Sequence, residues 1–278
     1  MSGYTYKPLP YFMMTFIITF SCWFAGAYMS FQEHLASYYM LLMLPGLMAP
    51  FLLSLIMVFT SRDSALKREF INRLIDIRLI RPGLFAFFAI LMPVTVLAAI
   101  VLSLPFGGSF SQLHFAEEFS FSTGFVPVLL LLFLAALFEE LGWRGYAFDS
   151  LQSRYTFLTA SIVFGILWSF WHFPLIFAKN SYQYEIYHQS FWYAVNFFAG
   201  IIPMGIIISW ICVKNGKSVI AAVLFHFIIN ISQELFAITQ NTKCIQTFVL
   251  TVCAAGLVLY DKELFFKKIS LPSGTDGC

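Results

Sequence analysis

Two adjacent glutamates and an arginine, Glu139, Glu140 and Arg144, appear where lipid should still surround a helix. They close the apolar run GFVPVLLLLFLAALF with the motif FEELGWRG, at Phe138 to Gly145. Ionisable groups at that depth are costly, so they face a protein interior and carry function. Glu140 and Arg144 stand four apart with the glutamate N-terminal, the favourable order for a helical ion pair. Glu139 is rotated by about 100° from Glu140 on a 3.6-residue helix, so the same arginine is poorly placed to neutralise it. One carboxylate is tied down and the other is left over. A leftover carboxylate in a low dielectric takes up a proton or acts on a water.

Three more polar positions interrupt apolar runs: His172, and His226 with Asn230. Trp168 and His172 are four apart, and His226 and Asn230 are four apart, so each pair shares one helical face. Each has a bland reading. A lone intramembrane histidine or asparagine is often inter-helix glue, and a Glu–Arg pair is often a structural clasp. Together, two histidines, a spare glutamate and an amide on three segments are the parts for water activation and oxyanion stabilisation.

These residues must be positioned by membrane helices. The chain is 60% hydrophobic and 11% charged, where a soluble protein is about 25% charged. The apolar excess runs along the whole length, which predicts an all-α, polytopic membrane protein with one membrane domain over 1–278. The five cysteines, Cys22, Cys212, Cys244, Cys253 and Cys278, form no CxxC pair, so neither a disulfide frame nor a zinc ribbon is indicated. The first apolar run lacks a small-residue cleavage site and reads as a retained helix. With nothing after Cys278, no prenylation box of its own is expected.

About eight spans are expected: Tyr11 to Ser30, Tyr38 to Phe59, Gly83 to Leu104, the run ending in the FEELGWRG motif, Phe157 to Phe177, Phe191 to Val213, Ser218 to Ile238, and Cys244 to Tyr260. Pro45, Gly46 and Pro50 predict a kink in the second. Segment 61–82 holds Arg62, Lys67, Arg68, Arg73, Arg78 and Arg81, while Leu66, Phe70, Leu74, Ile77 and Ile80 recur at helical spacing. It reads as an amphipathic helix at the membrane surface, the alternative being a solvated charged loop. Arg144 to Tyr155 reads as a polar link, and the tyrosines near Lys179 to Ser190 as an interface belt. With both termini cytoplasmic, nearly all basic residues fall inside and only Lys179 and Lys243 outside, which fixes the orientation.

Depth provides a check. At about 1.5 Å per residue, Glu139 lies roughly 20 Å below the outer start of its span, in the inner third of the bilayer. His226 lies roughly 12 Å above the inner start of its own span, a similar level. His172, counted from Thr159, comes out roughly 20 Å up, higher than the others. Either its span starts later, or the link before it dips into the membrane and opens a cavity to the cytoplasm.

EELGWRG, WSFWHFP and HFIIN resemble the three motifs of the CAAX protease and bacteriocin-processing family, also called Abi, whose eukaryotic branch is Rce1. The EExxxR motif matches Glu139, Glu140 and Arg144; FxxxH matches at His172, with Trp168 replacing the aromatic; HxxxN matches His226 and Asn230. The motif-bearing core is 125–238, and the wording is closest to prokaryotic members. The resemblance implies an intramembrane glutamate endopeptidase with an eight-helix core and a conical catalytic cavity open to the cytoplasm of a prokaryotic cell. It implies that Glu139 and His172 activate the attacking water and that His226 and Asn230 form the oxyanion hole. Glu140, Arg144 and Trp168 would be structural or orienting, with Glu140 placed to orient His226. The implied substrate is a protein or peptide cut near its C-terminus, with prenylated CaaX proteins one class; no cofactor, metal or nucleic acid is implied.

Rival readings use the same residues. Glu139, His172 and His226 would make a two-His, one-carboxylate zinc site, although no HExxH helix is present. A non-catalytic immunity or scaffold protein would keep the motif as a clasp, but a clasp needs only Glu140 and Arg144. A proton-coupled transporter would use Glu139 as a relay, yet no internal repeat is visible. A glycosidase pair fails because neighbouring carboxylates on one helix point different ways, whereas such pairs flank a bond about 5 to 9 Å apart.

Overall fold

The computed structural model describes residues 4–116 and 127–267. Cys278 lies outside these. Among the described residues there is no strand beyond an isolated antiparallel bridge between Phe115 and Phe236. The all-α expectation holds. The helices are α1 (Pro8–Ser30), α2 (Met40–Phe59), α3 (Ser64–Ile75), α4 (Pro82–Ser103), α5 (Val128–Gly142), α6 (Phe148–Gln152), α7 (Phe157–Trp171), α8 (Tyr182–Gln189), α9 (Phe191–Lys214), α10 (Val219–Glu234), α11 (Gln240–Tyr260) and α12 (Lys262–Phe266). Six of the described segments are long and apolar enough to cross a membrane: α1, α2, α4, α7 with its extension to Phe177, α9 and α11. The other two expected spans correspond to the shorter α5 and α10, which carry the carboxylates and the HxxxN pair. The tyrosines of the expected interface belt fall on the helix Tyr182–Gln189, capped by Ser181, whose hydroxyl accepts from the Tyr184 amide.

The helices neighbour one another in the ring α1, α2, α5, α10, α4, α11, α9, α7 and back to α1. The two short helices are thus packed on each other within the ring, between α2 and α4. The expected irregularity of α2 is stabilised from α1. Pro50 has no N–H for the carbonyl of Gly46, and the Thr19 hydroxyl donates there instead, at 2.9 Å. Thr19 in turn accepts from Trp171 Nε1 at 2.9 Å, which ties α7 to the same point.

Gly142 sets how closely α5 approaches α2. A Cβ there would overlap the backbone carbon of Pro50 and come within 2.7 Å of the Phe51 nitrogen. Gly142→Ala is therefore expected to destabilise by about 1–3 kcal/mol through overpacking, read as a lower melting temperature in detergent.

The basic segment 61–82 forms a helix over only part of its length. Asp63 caps α3 by accepting from the Leu66 amide at 2.9 Å, and α3 ends at Ile75. Ile77, expected on the apolar stripe, lies beyond that end and is exposed. Leu66 and Phe70 are buried, but so is Arg73. The inward face of α3 packs on protein, with Phe70 against Gly145 and Phe59.

Candidate active site

The segment after the two glutamates is not the polar link that its composition suggests. The chain stays helical, passing through a π turn at Trp143–Ala147 into α6, and every residue from Gly142 to Gln152 is buried. Single π turns inside α-helices recur at functional sites. This continuation removes the depth conflict. Glu139 lies thirteen residues before the inner end at Gln152, about 20 Å along the helix. Trp168 and His172 lie eleven and fifteen residues from Phe157, about 17 and 22 Å. The carboxylate and the second motif are at one level with no late start of α7. Arg144, counted with the loop charges, is in fact inside the bundle with its side chain 0% exposed.

The two glutamates are treated differently. Glu140 is fully buried. Arg144 Nη1 lies 3.0 Å from its Oε1 and 2.9 Å from its Oε2, and His226 Nδ1 lies 2.9 Å from Oε1. The Arg144 guanidinium also donates to Ser209 Oγ at 3.3 Å and stacks over Phe164, 4.3 Å from the ring centroid. Among the described residues its Nε has no hydrogen-bond partner. Glu139 makes none of these contacts. Its Oε2 accepts from the indole N–H of Trp168 at 2.7 Å and of Trp143 at 3.4 Å, and its Oε1 receives neither. The tied and the spare carboxylate read from spacing are therefore distinct in the structure.

The imidazoles are oriented by acceptors. His172 follows α7 directly, and its Nδ1 lies 2.8 Å from the Trp168 carbonyl. A carbonyl only accepts, so Nδ1 carries a proton, and in the neutral ring Nε2 keeps its lone pair. Trp168 thus holds both Glu139, by its indole, and His172, by its carbonyl. The His226 ring meets the Trp168 ring edge-on at 5.3 Å. Asn230 is the outlier. It lies one turn along α10 from His226, and its Nδ2 donates to the Leu132 carbonyl at 3.2 Å. The structure brings together Glu139, Glu140, Arg144, Trp168, His172 and His226, and places Asn230 one turn of α10 away, bonded to Leu132 of α5. Among the described residues, no group of three or more His, Cys, Asp or Glu is arranged to hold a metal ion.

Sequence reasoning missed a second charged cluster on the inner side. Arg73 Nη1 donates to Asp149 Oδ2 at 2.6 Å, and Lys217 Nζ lies 3.1 Å from Asp149 Oδ1. A signal was present, since Arg73 falls on the same helical face as Leu66 and Phe70. Burial pushes the Asp149 carboxyl up, but Arg73 and Lys217 outweigh it and hold it below its ordinary value. In the unfolded chain an aspartate titrates near pH ~3.9. This contribution is therefore complete above roughly pH 5 and is lost as pH falls through the lower native value. Wild type should melt above Asp149→Asn at pH 7, and the gap should close below about pH 4, as followed by thermal melts in detergent.

An all-α, multi-pass membrane bundle that gathers two glutamates, an arginine and two histidines from three helices is the class of protein defined so far. Residues 121–232 match the type II CAAX prenyl endopeptidase Rce1-like family. The chain is 59% identical to CAAX prenyl protease 2 of Methanococcus maripaludis over 96% of its own length and 99% of that protein. It is 24% identical to lysostaphin resistance protein A of Staphylococcus haemolyticus over 80% of this chain and 57% of that protein. The chain belongs to the Rce1-like CAAX endopeptidase family, and it is an intramembrane endopeptidase.

Proposed function

We propose that this chain is a glutamate-type endopeptidase that hydrolyses a peptide bond near the C-terminus of a prenylated CaaX-type protein or peptide. The observation that carries this reading is the division between the carboxylates: Glu140 is paired with Arg144 and bonded to His226, while Glu139, among the described residues, accepts from indole N–H groups. The name of the Methanococcus relative supports the substrate class.

Glu139 and the Nε2 lone pair of His172 hold a water between them. Glu139 takes its proton as the oxygen attacks the scissile carbonyl. Negative charge develops on the carbonyl oxygen. His226, its Nδ1–H directed at Glu140, donates from Nε2 to that oxygen when the ring carries both protons. Asn230 keeps one amide hydrogen beyond the one given to Leu132 and supplies a second donor. Collapse of the tetrahedral intermediate breaks the C–N bond, and Glu139 returns the proton to the leaving amine. Glu140 and Arg144 fix His226, and Trp168 fixes Glu139 and His172.

The whole chain, 1–278, serves as one protease domain with its core at 125–238. It sits in the plasma membrane with both termini cytoplasmic, on the side of the basic residues, and the site is reached from the cytoplasm. The segment 61–82 lies at that surface.

The test uses the full chain purified in detergent, a farnesylated CaaX peptide and its unprenylated twin, with products identified by mass spectrometry. Release of the C-terminal tripeptide from the farnesylated peptide is the expected result. Equal cleavage of both twins would remove prenylation from the proposal, and cleavage of neither would overturn the substrate class.

A further inference from the structure

The buried guanidinium of Arg73 lies across the seam between the carboxylate-bearing segment and α10. It donates in three directions: Nε to the Lys217 carbonyl at 2.8 Å, Nη1 to Asp149 at 2.6 Å, and Nη2 to the Arg144 carbonyl at 2.6 Å. The last acceptor belongs to the π turn and to the residue whose side chain neutralises Glu140.

The two sides of the seam run antiparallel and are pinned twice. Asp149 pairs with Lys217, and Glu140 bonds His226. Asp149 follows Glu140 by nine residues, and Lys217 precedes His226 by nine residues. The first interval runs through the π turn, and the second enters α10 at Val219, so a lower and an upper rung pin the same two segments. A slip of one residue at the lower rung would move His226 by about 1.5 Å, enough to break a 2.9 Å bond to Glu140.

We propose that Arg73, with Asp149 and Lys217, is a positioning residue: it sets the register of the α5–α6 segment against α10 and thereby the Glu140–His226 contact. Its kinetic consequence rests on the proposed endopeptidase mechanism; its geometric consequence does not. Arg73 touches no reacting atom. A displacement of about 1 Å transmitted from a distance can cost about 100-fold in rate.

The side chain lines a cavity of about 390 Å³ together with Arg68, Glu69 and Asn72, so a small guanidinium can be offered in its place. The experiment compares wild type, Arg73→Ala, and Arg73→Ala with ethylguanidinium, as full chain in detergent. It reads kcat and KM on the farnesylated peptide, thermal melting, and the imidazole 15N resonances of His226, assigned by their loss in His226→Gln. The expected result is a kcat lowered about 10- to 100-fold at unchanged KM and a displaced His226 resonance. Ethylguanidinium should reverse both.

A lower melting temperature with kcat per folded molecule and the His226 resonance both unchanged would reduce Arg73 to a structural anchor and overturn the proposal. If wild type cleaves no peptide, the resonance alone decides. Its displacement in Arg73→Ala keeps the positioning role while the endopeptidase mechanism fails, and its constancy ends the positioning role. Should Arg73→Ala not fold, Lys217→Ala acts on the same rung through a more exposed side chain. It is expected to displace the His226 resonance in the same direction by less, and an unmoved resonance there overturns the proposal.

Discussion

Glu139→Gln is expected to lose two to four orders of magnitude in kcat, the range about 10²–10⁴ that a positioned general base supplies, while melting within a few degrees of wild type. Glutamine keeps the shape and an oxygen that accepts from Trp168 and Trp143, whose nitrogens lie 2.7 and 3.4 Å from Oε2. No charged partner of Glu139 is left unpaired, because Arg144 is engaged by Glu140. What disappears is the capacity to take a proton from water. Initial rates on a fluorogenic prenylated peptide, with melting followed by intrinsic fluorescence, check both halves. Retention of more than a tenth of wild-type turnover would contradict the role of Glu139.

Arg144→Met is expected to do the reverse and damage the fold first. The Glu140–Arg144 pair is 2.9 Å long with both side chains 0% exposed. Removing the arginine leaves a buried carboxylate with only His226 beside it, and Ser209 and Phe164 lose a partner too. Breaking such a pair costs about 3–5 kcal/mol, which lowers melting by on the order of 10 °C. Glu140→Gln leaves the opposite charge stranded and should lie in the same range, although the His226 bond can persist to the amide oxygen. If Glu139→Gln and Arg144→Met melted alike, the separation of the two glutamates into a reactive and a structural one would fail.

Much of this was legible in the chain because it depends on near neighbours. The Glu140–Arg144 pair follows from an i,i+4 spacing, and apolar length alone located α1, α2, α4, α9 and α11 to within a few residues. The link after Arg144 was misread because its partners come from far away. WRGYAFDSLQ contains an arginine, an aspartate and a glycine that look solvated until Arg73, Ser209 and Lys217 arrive to satisfy them. Gly145 read as a loop residue, whereas it makes room for the Phe70 ring. Arg73 was counted as a topological charge because periodicity reports which face a residue occupies and not what meets that face. Asn230 was placed beside His226 by its spacing, correctly for the face of α10, but the direction of its amide toward Leu132 depends on packing against α5.

In the proposed mechanism a carboxylate, not a bound metal, activates the water, and one comparison decides between the two. Purified full-length protein in detergent is assayed on a fluorogenic farnesylated CaaX peptide, as wild type and as Glu139→Gln, each with and without a strong metal chelator. Wild-type cleavage is expected to survive the chelator, and Glu139→Gln is expected to be inactive in both conditions. Wild-type cleavage that stops with chelator and returns on adding zinc would contradict that mechanism, and would make Glu139, His172 and His226 a metal site formed on loading.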